Sequence, residues 1–413
     1  MNIYVVHVHN ILKNGHVIVF SIKNGRIFTS CSLKVKLWTY NLIKNMYDRK
    51  KPYNQLPDLP PSKEIIDIEV LMKWGIASRN LAELNKNILR IPNPSMLVNT
   101  IALREAQSST AIENIFTTED ELYKAISSNL KEENVDTSTK EVLNYREALW
   151  GGFNLLKSEG DLSEQAIISI FQKVKNSTQS YRPPQSLTVI RRGNSEFKAG
   201  EVIYTPPRGE GIIESKIQNL LSFLHDENGI DPLLKMAIAH YQFEVIHPFT
   251  DGNGRTGRIL NLLYLVEQQL ISHPVLYLSR YILQHKDDYY YLLSGVTQRG
   301  LWKPWLMFMM EAIVQTSIYT NQLIDEIIQQ QATTLQFAKS KLKWYTSEFN
   351  ELLFSQPYFK QKKMGEILGV SSRTTLAKYA EQLVSFGIIS KKNEGKEVFY
   401  INDDLLRIIG DSR

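Results

Sequence analysis

Cysteine is almost missing from this sequence. Cys31 is the only one in 413 residues, which excludes an intramolecular disulfide and the metal-thiolate site classes, so a bound metal would take oxygen or nitrogen ligands. Long apolar runs are missing too: nothing approaches the roughly 20 residues that a membrane helix needs, and no membrane association is expected. The opening MNIYVVHVHNILKNG has no basic stretch ahead of a clean apolar core and a small-residue cleavage site. No secretory signal is read there, and the cytoplasm is the expected address. Charge of one sign is scarce: 48 Lys and Arg against 43 Asp and Glu leave a net +5, too little for the whole molecule to act as a polycation on nucleic acid. Internal repeats and low-complexity tracts are absent as well. What is there, 43% hydrophobic and 22% charged residues, is ordinary globular composition with length enough for two or three domains.

Texture divides the chain. Residues 1–45, an N-terminal extension of unreadable role, alternate β-branched runs with Asn14-Gly15 and Asn24-Gly25, which are hairpin signals; Met46 is a second candidate start. The stretch YDRKKPYNQLPDLPPS reads as an extended arm. From about residue 63 the apolar spacing is helical, as in Ile65, Ile68, Leu71, Met72 and Ile76, and again in Leu220, Leu221 and Leu224. The expected fold is therefore mainly α, a helical bundle. One hairpin interrupts it between Ser186 and Gly211, split by Gly193-Asn194 and closed by Pro206-Pro207; such a hairpin often serves as a ligand flap. Beyond about residue 315 a polar-apolar helix reads as a linker. The last segment then runs helix, turn, helix and β-ribbon, the winged helix-turn-helix plan. The expected divisions are 1–45, an arm with helices at 46–120, a core at 121–315, a linker at 316–345 and the winged unit at 346–413.

The segment HPFTDGNGRTGR, residues 247–258, carries chemistry. It leads directly into the helical run ILNLLYLVEQQL. A Gly-rich turn that opens a helix presents unpaired backbone N–H groups and the positive end of the helix dipole, which together bind phosphate. Gly252 and Gly254 let the backbone approach closely. Asp251 is a hard oxygen ligand suited to the Mg²⁺ that accompanies a triphosphate. Arg255 and Arg258, three residues apart, share one side of the first helical turn and can both reach phosphate oxygens. His247 can take a proton from a hydroxyl near neutral pH.

These residues fill every fixed position of the signature of the Fic (filamentation induced by cAMP) family, His-x-Phe-x-Asp/Glu-Gly-Asn-Gly-Arg-x-x-Arg, through His247, Phe249, Asp251, Gly252, Asn253, Gly254, Arg255 and Arg258. The resemblance implies a protein adenylyltransferase that moves AMP from ATP to Tyr, Ser or Thr hydroxyls, its own included, and releases pyrophosphate. On that resemblance His247 is the general base, Asp251 the Mg²⁺ ligand and Phe249 an apolar anchor. The stretch Gly252, Asn253, Gly254, Arg255, Thr256, Gly257 and Arg258 would hold the phosphates. The related phosphate-transferring toxins carry Lys at the position of Gly254, so the glycine favours AMP transfer.

Three further segments resemble the family. EAQSSTAIENI matches its inhibitory signature through Ser109, Glu113 and Asn114, which implies that the Glu113 carboxylate pairs with Arg258 and restrains the enzyme. Val202, Ile203 and Tyr204 resemble the flap strand that holds an acceptor peptide. Tyr289, Tyr290 and Tyr291 stand where the family has tyrosines near the adenosine, with Tyr290 the candidate contact; the family often has Asn near the position of His285. The resemblance spans roughly residues 46–315. Two other functions stay open at this point: a DNA-binding regulator whose nucleotide site only senses, using Ser371, Ser372, Arg373, Thr374, Lys378 and the wing residues Lys391, Lys392 and Lys396, and an enzyme that removes AMP, with Glu113 positioning water. A DNA or protein contact of the winged helix and a homodimer are equally open.

Overall fold

The computed structural model describes residues 19–23, 26–30, 48–89, 94–128, 135–191, 201–395 and 397–410. Strands β1 (Val19–Lys23) and β2 (Arg26–Ser30) pair antiparallel with Lys23 opposite Arg26, the hairpin expected about Asn24-Gly25. Asn14-Gly15 lies outside the described residues. The arm from 48 to 62 has neither helix nor strand. Its prolines leave it short of donors for a ladder of its own, and it borrows partners from the base of the flap. The Asn54 side chain donates to the Arg208 carbonyl at 2.9 Å and accepts from the Arg208 N–H at 2.8 Å, while the Tyr53 N–H donates to Thr205 O at 3.0 Å.

Helices dominate the chain beyond this arm, as the apolar spacing predicts. They are α1 (Ile68–Leu89), α2 (Pro94–Ile112), α3 (Glu119–Ser128), α4 (Thr137–Glu159) and α5 (Glu164–Lys175). Next comes the flap, β3 (Ile190–Arg191) paired antiparallel with β4 (Val202–Tyr204). The bundle resumes with α6 (Ile212–His225), α7 (Pro232–Ile246), α8 (Asn253–Glu267), α9 (Leu278–Gln284), α10 (Lys286–Arg299) and the 40-residue α11 (Trp302–Lys341). Helix α7 is the centre of the bundle. Every residue from Leu233 to Ile246 is buried, as expected of a helix enclosed on all sides. Asp231 caps it, accepting from Leu233 N at 2.8 Å, and Pro232 fits the first turn, where no N–H partner exists.

Helix α1 forms where its periodicity predicts, but a different face is buried. Val70, Ala77, Leu81, Leu84 and Ile88 meet the core, whereas Ile68, Leu71, Met72 and Ile76 are exposed. The reason is the partner: α11 lies along α1 and fixes its rotation with polar contacts at the edges, Lys73 to Glu311 and Asn87 to Asn321. Apolar spacing in two turns reports the helix period without saying which stripe the neighbour covers.

The C-terminal unit contains α12 (Ser347–Ser355), β5 (Tyr358–Phe359), α13 (Gln361–Leu368), α14 (Arg373–Ser385), β6 (Ser390–Glu394), β7 (Glu397–Ile401) and α15 (Asp403–Ile409). Helix, turn, helix and ribbon follow in the expected order, and the three strands form one antiparallel sheet in the order β5-β7-β6. Gly369 at φ 66° ends α13, and Ser372 caps α14. The unit does not stand apart: α12 packs on α2, and β5 packs on α3.

Candidate active site

A cavity of about 490 Å³ opens between the flap, the turn after α2 and the junction of α7 with α8. Its size is that of a small-molecule site. Its lining includes Lys175, Asp251, Gly252, Asn253, Gly254, Arg255 and Arg258 from the helix junction and its surroundings, and Ile203, Tyr204, Val245, Tyr290, Leu293, Ser294, Thr297 and Gln298 from the flap, α7 and α10. His247 and Glu244 lie on the wall, and Glu113 enters from the side.

The loop is built by its own sequence. His247 ends α7 in the left-handed region at φ 50°, and Gly252 opens α8 at φ 73°. Between them the chain reverses over Phe249, which is fully buried and stacked on Phe171 with ring centroids 3.8 Å apart. Asn253 clamps the reversal: its side chain donates to the Phe249 carbonyl at 2.9 Å and accepts from the Phe249 N–H at 2.8 Å. That side chain is therefore occupied by the loop itself, and what Asn253 offers a ligand is its backbone N–H at the helix start.

The glycines make room. A Cβ on Gly254 would stand 2.8 Å from Glu113 Oε1 and 2.9 Å from an Arg258 nitrogen. Thr256 and Gly257 do not line the cavity. The Thr256 hydroxyl donates back to Gly252 O at 2.9 Å within the first helical turn, and Gly257 leaves space for Glu244, whose Oε1 would lie 2.7 Å from a Cβ there. On a helix, consecutive positions face different ways, so only Arg255 and Arg258 of this turn reach inward.

His247 lies in the cavity wall with one ring nitrogen tied to the backbone. Its Nδ1 lies 3.3 Å from the Glu244 carbonyl, which can only accept, so the proton sits on Nδ1 and Nε2 is left to take one. Burial pushes the imidazole down to about 4, against a partial opposing effect of that carbonyl. At neutral pH it is uncharged.

Both arginines are almost wholly buried and already hold a carboxylate. Glu113 Oε2 lies 2.7 Å from Arg255 Nε, and Glu113 Oε1 accepts from Arg258 at 3.0 Å. The sequence predicts the second contact; the first is new. Ser109 completes the grip, its hydroxyl accepting from Arg258 Nε at 2.7 Å and its carbonyl at 2.8 Å. The turn that carries Glu113 closes through Thr110 O, which accepts from Glu113 N and Ile115 N, and it needs a left-handed residue at Asn114, φ 63°. Asn tolerates that region better than most residues. Lys286 donates to the Asn114 side chain at 2.9 Å.

Residues far apart in sequence complete the charge pattern. Lys175 Nζ bridges Asp251 at 2.8 Å and Glu141 at 3.2 Å, and Glu141 also pairs with Arg255. Burial would raise Asp251, but Lys175, the Gly252 N–H and Arg255 outweigh it and hold the carboxyl below its usual range. Glu244 is buried with Oε1 unpaired, and burial lifts it to about 7 despite Arg258. Its signal was available, three residues before His247 on the same helix. Lys175 and Glu141 gave none, because their roles come from long-range packing.

On the flap strand, Tyr204 is fixed by donating to Val245 O at 2.8 Å, and Ile203 beside it lines the cavity. Val202 does not. Of the three tyrosines, Tyr290 lines the cavity and is partly exposed; Tyr289 also lines it but is buried, with its hydroxyl 2.9 Å from His240 Nε2; Tyr291 faces solvent. His285 stacks on Tyr281 at 4.0 Å, outside the cavity.

Three family profiles match the chain: Fic/DOC family N-terminal over residues 71–154, Fic/DOC family over 161–265, and the C-terminal domain of SoFic-like protein adenylyltransferases over 328–405. Protein adenylyltransferase fic-1 of Caenorhabditis elegans is 45% identical over 65 residues, 15% of this chain and 13% of its own length. A probable protein adenylyltransferase of Aquifex aeolicus is 46% identical over 61 residues, 15% of this chain and 19% of its own. The chain thus aligns with about a fifth or less of these curated relatives. A Fic family protein from Desulfovibrio desulfuricans superposes with a TM-score of 0.49 at 20% identity, over 84% of this chain and 98% of that one. The matched profiles together take in more than half of the residues, from the helix that carries Glu113 through the loop at 247–258 to the C-terminal unit, and the chain belongs to the Fic/DOC family.

Proposed function

We propose that this protein is an adenylyltransferase that moves AMP from ATP to a hydroxyl of a protein substrate, releases pyrophosphate, and is restrained by Glu113. One observation carries the reading: a neutral histidine, the open start of α8 and two buried arginines share one cavity, and a carboxylate of the chain's own sits on both arginines. The backbone N–H groups at Gly252 to Gly254 receive the inner phosphates, Arg255 and Arg258 the outer ones, and His247 Nε2 takes the acceptor's proton. In-line attack at the α-phosphorus forms the new P–O bond as the bond to pyrophosphate breaks. Ile203 lies on the flap strand where an acceptor peptide can pair by its backbone, and Tyr290 stands where the adenosine would lie. The test uses ATP labelled at the α- or the γ-phosphate, with purified Glu113→Gly protein and Mg²⁺. Label should reach protein from the α-position; transfer from the γ-position alone would replace this reading with a phosphotransferase.

Asp251 is the residue that would hold Mg²⁺. Its side chain is open to the cavity, and an oxygen donor beside a phosphate site suits an ion that takes most of its ligands from phosphate and water. Among the described residues no three His, Cys, Asp or Glu side chains form a metal cluster, so the remaining ligands would come from nucleotide and solvent. The ion supplies positive charge to the triphosphate, and Lys175 has to yield Asp251 to it. Asp251→Ala should leave a low residual rate that no longer responds to added Mg²⁺; retained stimulation in a metal titration would put the ligand elsewhere.

The pH dependence follows from His247. Because burial depresses its pKa to about 4, the base-competent neutral form persists well below the usual imidazole range of about 6.5. The rate of the Glu113→Gly protein should stay level from pH 8 to below 6 and fall only as the imidazole is protonated in more acid solution. A half-loss at 6.5 or above in the kcat/KM profile would remove His247 as an isolated base.

The proposed core and linker, 121–315 and 316–345, meet inside one continuous helix. Trp305, Phe308 and Met309 of α11 are buried in the bundle, while Gln330 donates to Asp404 of the C-terminal unit at 2.8 Å. As a DNA-binding surface that unit has committed several of its candidate groups internally. The Ser372 hydroxyl caps α14, and Lys392 donates to Asp120 at 2.7 Å; Lys396 lies outside the described residues. Arg373, Thr374, Lys378 and Lys391 are exposed. A contact with protein, beginning with this chain's own α3, is the better supported reading.

A further inference from the structure

Glu113 sits on a turn whose flanking helices are both gripped by the C-terminal unit. Only residues 113–118 separate the end of α2 from the start of α3. Thr118 and Glu121 cap α3 reciprocally, Glu121 N donating to the Thr118 hydroxyl at 3.2 Å and Thr118 N to the Glu121 carboxylate at 3.2 Å. Gln107 of α2 donates to Thr117 O at 3.1 Å, and Arg104 of α2 pairs with Glu119. These contacts tie the turn to both helices.

This assembly is held from outside at Asp120. One carboxylate oxygen accepts from Lys392 of β6 at 2.7 Å and from the Tyr358 hydroxyl of β5 at 2.8 Å; the other lies 2.6 Å from Lys124. Lys124 pairs in turn with Glu394 of the same ribbon. Tyr358 stacks on Tyr123 with centroids 5.8 Å apart, and its carbonyl accepts from Ser127 at 2.7 Å. On the other flank, Thr100 of α2 donates to Ser355 O of α12 at 3.2 Å. None of these groups touches the cavity.

We propose that the C-terminal unit governs the inhibitory turn: by clasping α3 at Asp120 through Lys392 and Tyr358, it keeps Glu113 on Arg255 and Arg258, and loosening the clasp frees both arginines for nucleotide. The proposal rests on the self-inhibition proposed above and names what controls it. The clasp is partly exposed, so a ligand or partner that draws Lys392 away can open it. Partly exposed ion pairs contribute modestly, which suits a contact that must break, and each 1.4 kcal/mol lost from the closed state multiplies the open population about tenfold.

The test compares Asp120→Ala, Lys392→Ala and Tyr358→Phe in the full-length protein, each with Glu113 intact and with Glu113→Gly. With Glu113 intact, each should raise α-label transfer, Lys392→Ala by about fivefold. With Glu113→Gly, each should change the rate less than about twofold, because the clasp acts only through Glu113 and no carboxylate is left for it to hold on the arginines. Amide hydrogen exchange over residues 113–128, with residues 233–246 as an internal control, should accelerate in all three variants. No gain of rate with Glu113 intact, equal gains in both backgrounds, or unchanged exchange would overturn the proposal. An inactive Glu113→Gly protein would instead overturn the function on which it rests, and exchange would still report whether the clasp holds the turn.

Discussion

Glu113→Gly is expected to raise the initial rate of α-label transfer by at least about tenfold. The carboxylate accepts a hydrogen bond from buried Arg258 and lies in ion-pair contact with buried Arg255, and a hydrogen bond to a charged group contributes about 1.5–3 kcal/mol. Nucleotide phosphates must displace both contacts before they can use the same guanidinium groups. Removing Glu113 does not loosen Arg258, because the Ser109 hydroxyl and carbonyl still hold it from the side. The freed arginine is left pre-positioned. Arg258→Ala should behave differently: the restraint loses one partner, yet the outer phosphates lose a ligand, so the rate stays low. Adding Arg258→Ala to Glu113→Gly should erase most of the gain. Groups in direct contact are non-additive, and the four initial rates of this cycle measure the coupling. A Glu113→Gly protein no faster than its parent, or strictly additive effects, would end the self-inhibition reading while leaving the assignment of the loop intact.

His247→Ala, measured in the Glu113→Gly background, should lower transfer by about 10²–10⁴-fold, the usual loss for a general base, with ATP affinity close to that of the parent. The separation comes from position. The imidazole stands on the cavity wall at the end of α7, with Nδ1 turned to Glu244 O, while the groups proposed to bind phosphate lie in α8 and its first turn. Equilibrium binding of labelled ATP beside single-turnover transfer separates the two effects. A parallel fall in both would mean that His247 shapes the loop or binds phosphate. Its left-handed backbone at φ 50° makes that outcome concrete, since alanine fits this region less readily than a residue that tolerates it. His247→Asn therefore serves as the companion variant: it keeps tolerance of the left-handed region and removes the base.

The loop from His247 to Arg258 was legible in the sequence because its chemistry is local. A helix start, two glycines, a carboxylate and two arginines three residues apart lie within one short loop and the first helical turn after it, and no distant part of the chain is needed to bring them together. The mainly helical bundle, the flap hairpin and the order of the C-terminal elements were legible for the same reason: 3.6-residue spacing and Gly-Asn and Pro-Pro punctuation are properties of neighbouring residues. Which face of α1 is buried was decided by α11, whose Glu311 stands 238 residues beyond its partner Lys73, and the exposed Ile68 and Met72 mark where local periodicity stops being informative. The bridge of Glu113 to Arg255 as well as Arg258, and the Lys175–Asp251–Glu141 cluster, required helices distant in sequence to converge. So did the clasp on Asp120, where 272 residues separate the lysine from its carboxylate. Ion pairs of that separation leave no periodic trace in a sequence. They exist because apolar packing of α2, α3, α5 and the C-terminal unit brings charged rims together, and only the tertiary structure sets which rims meet.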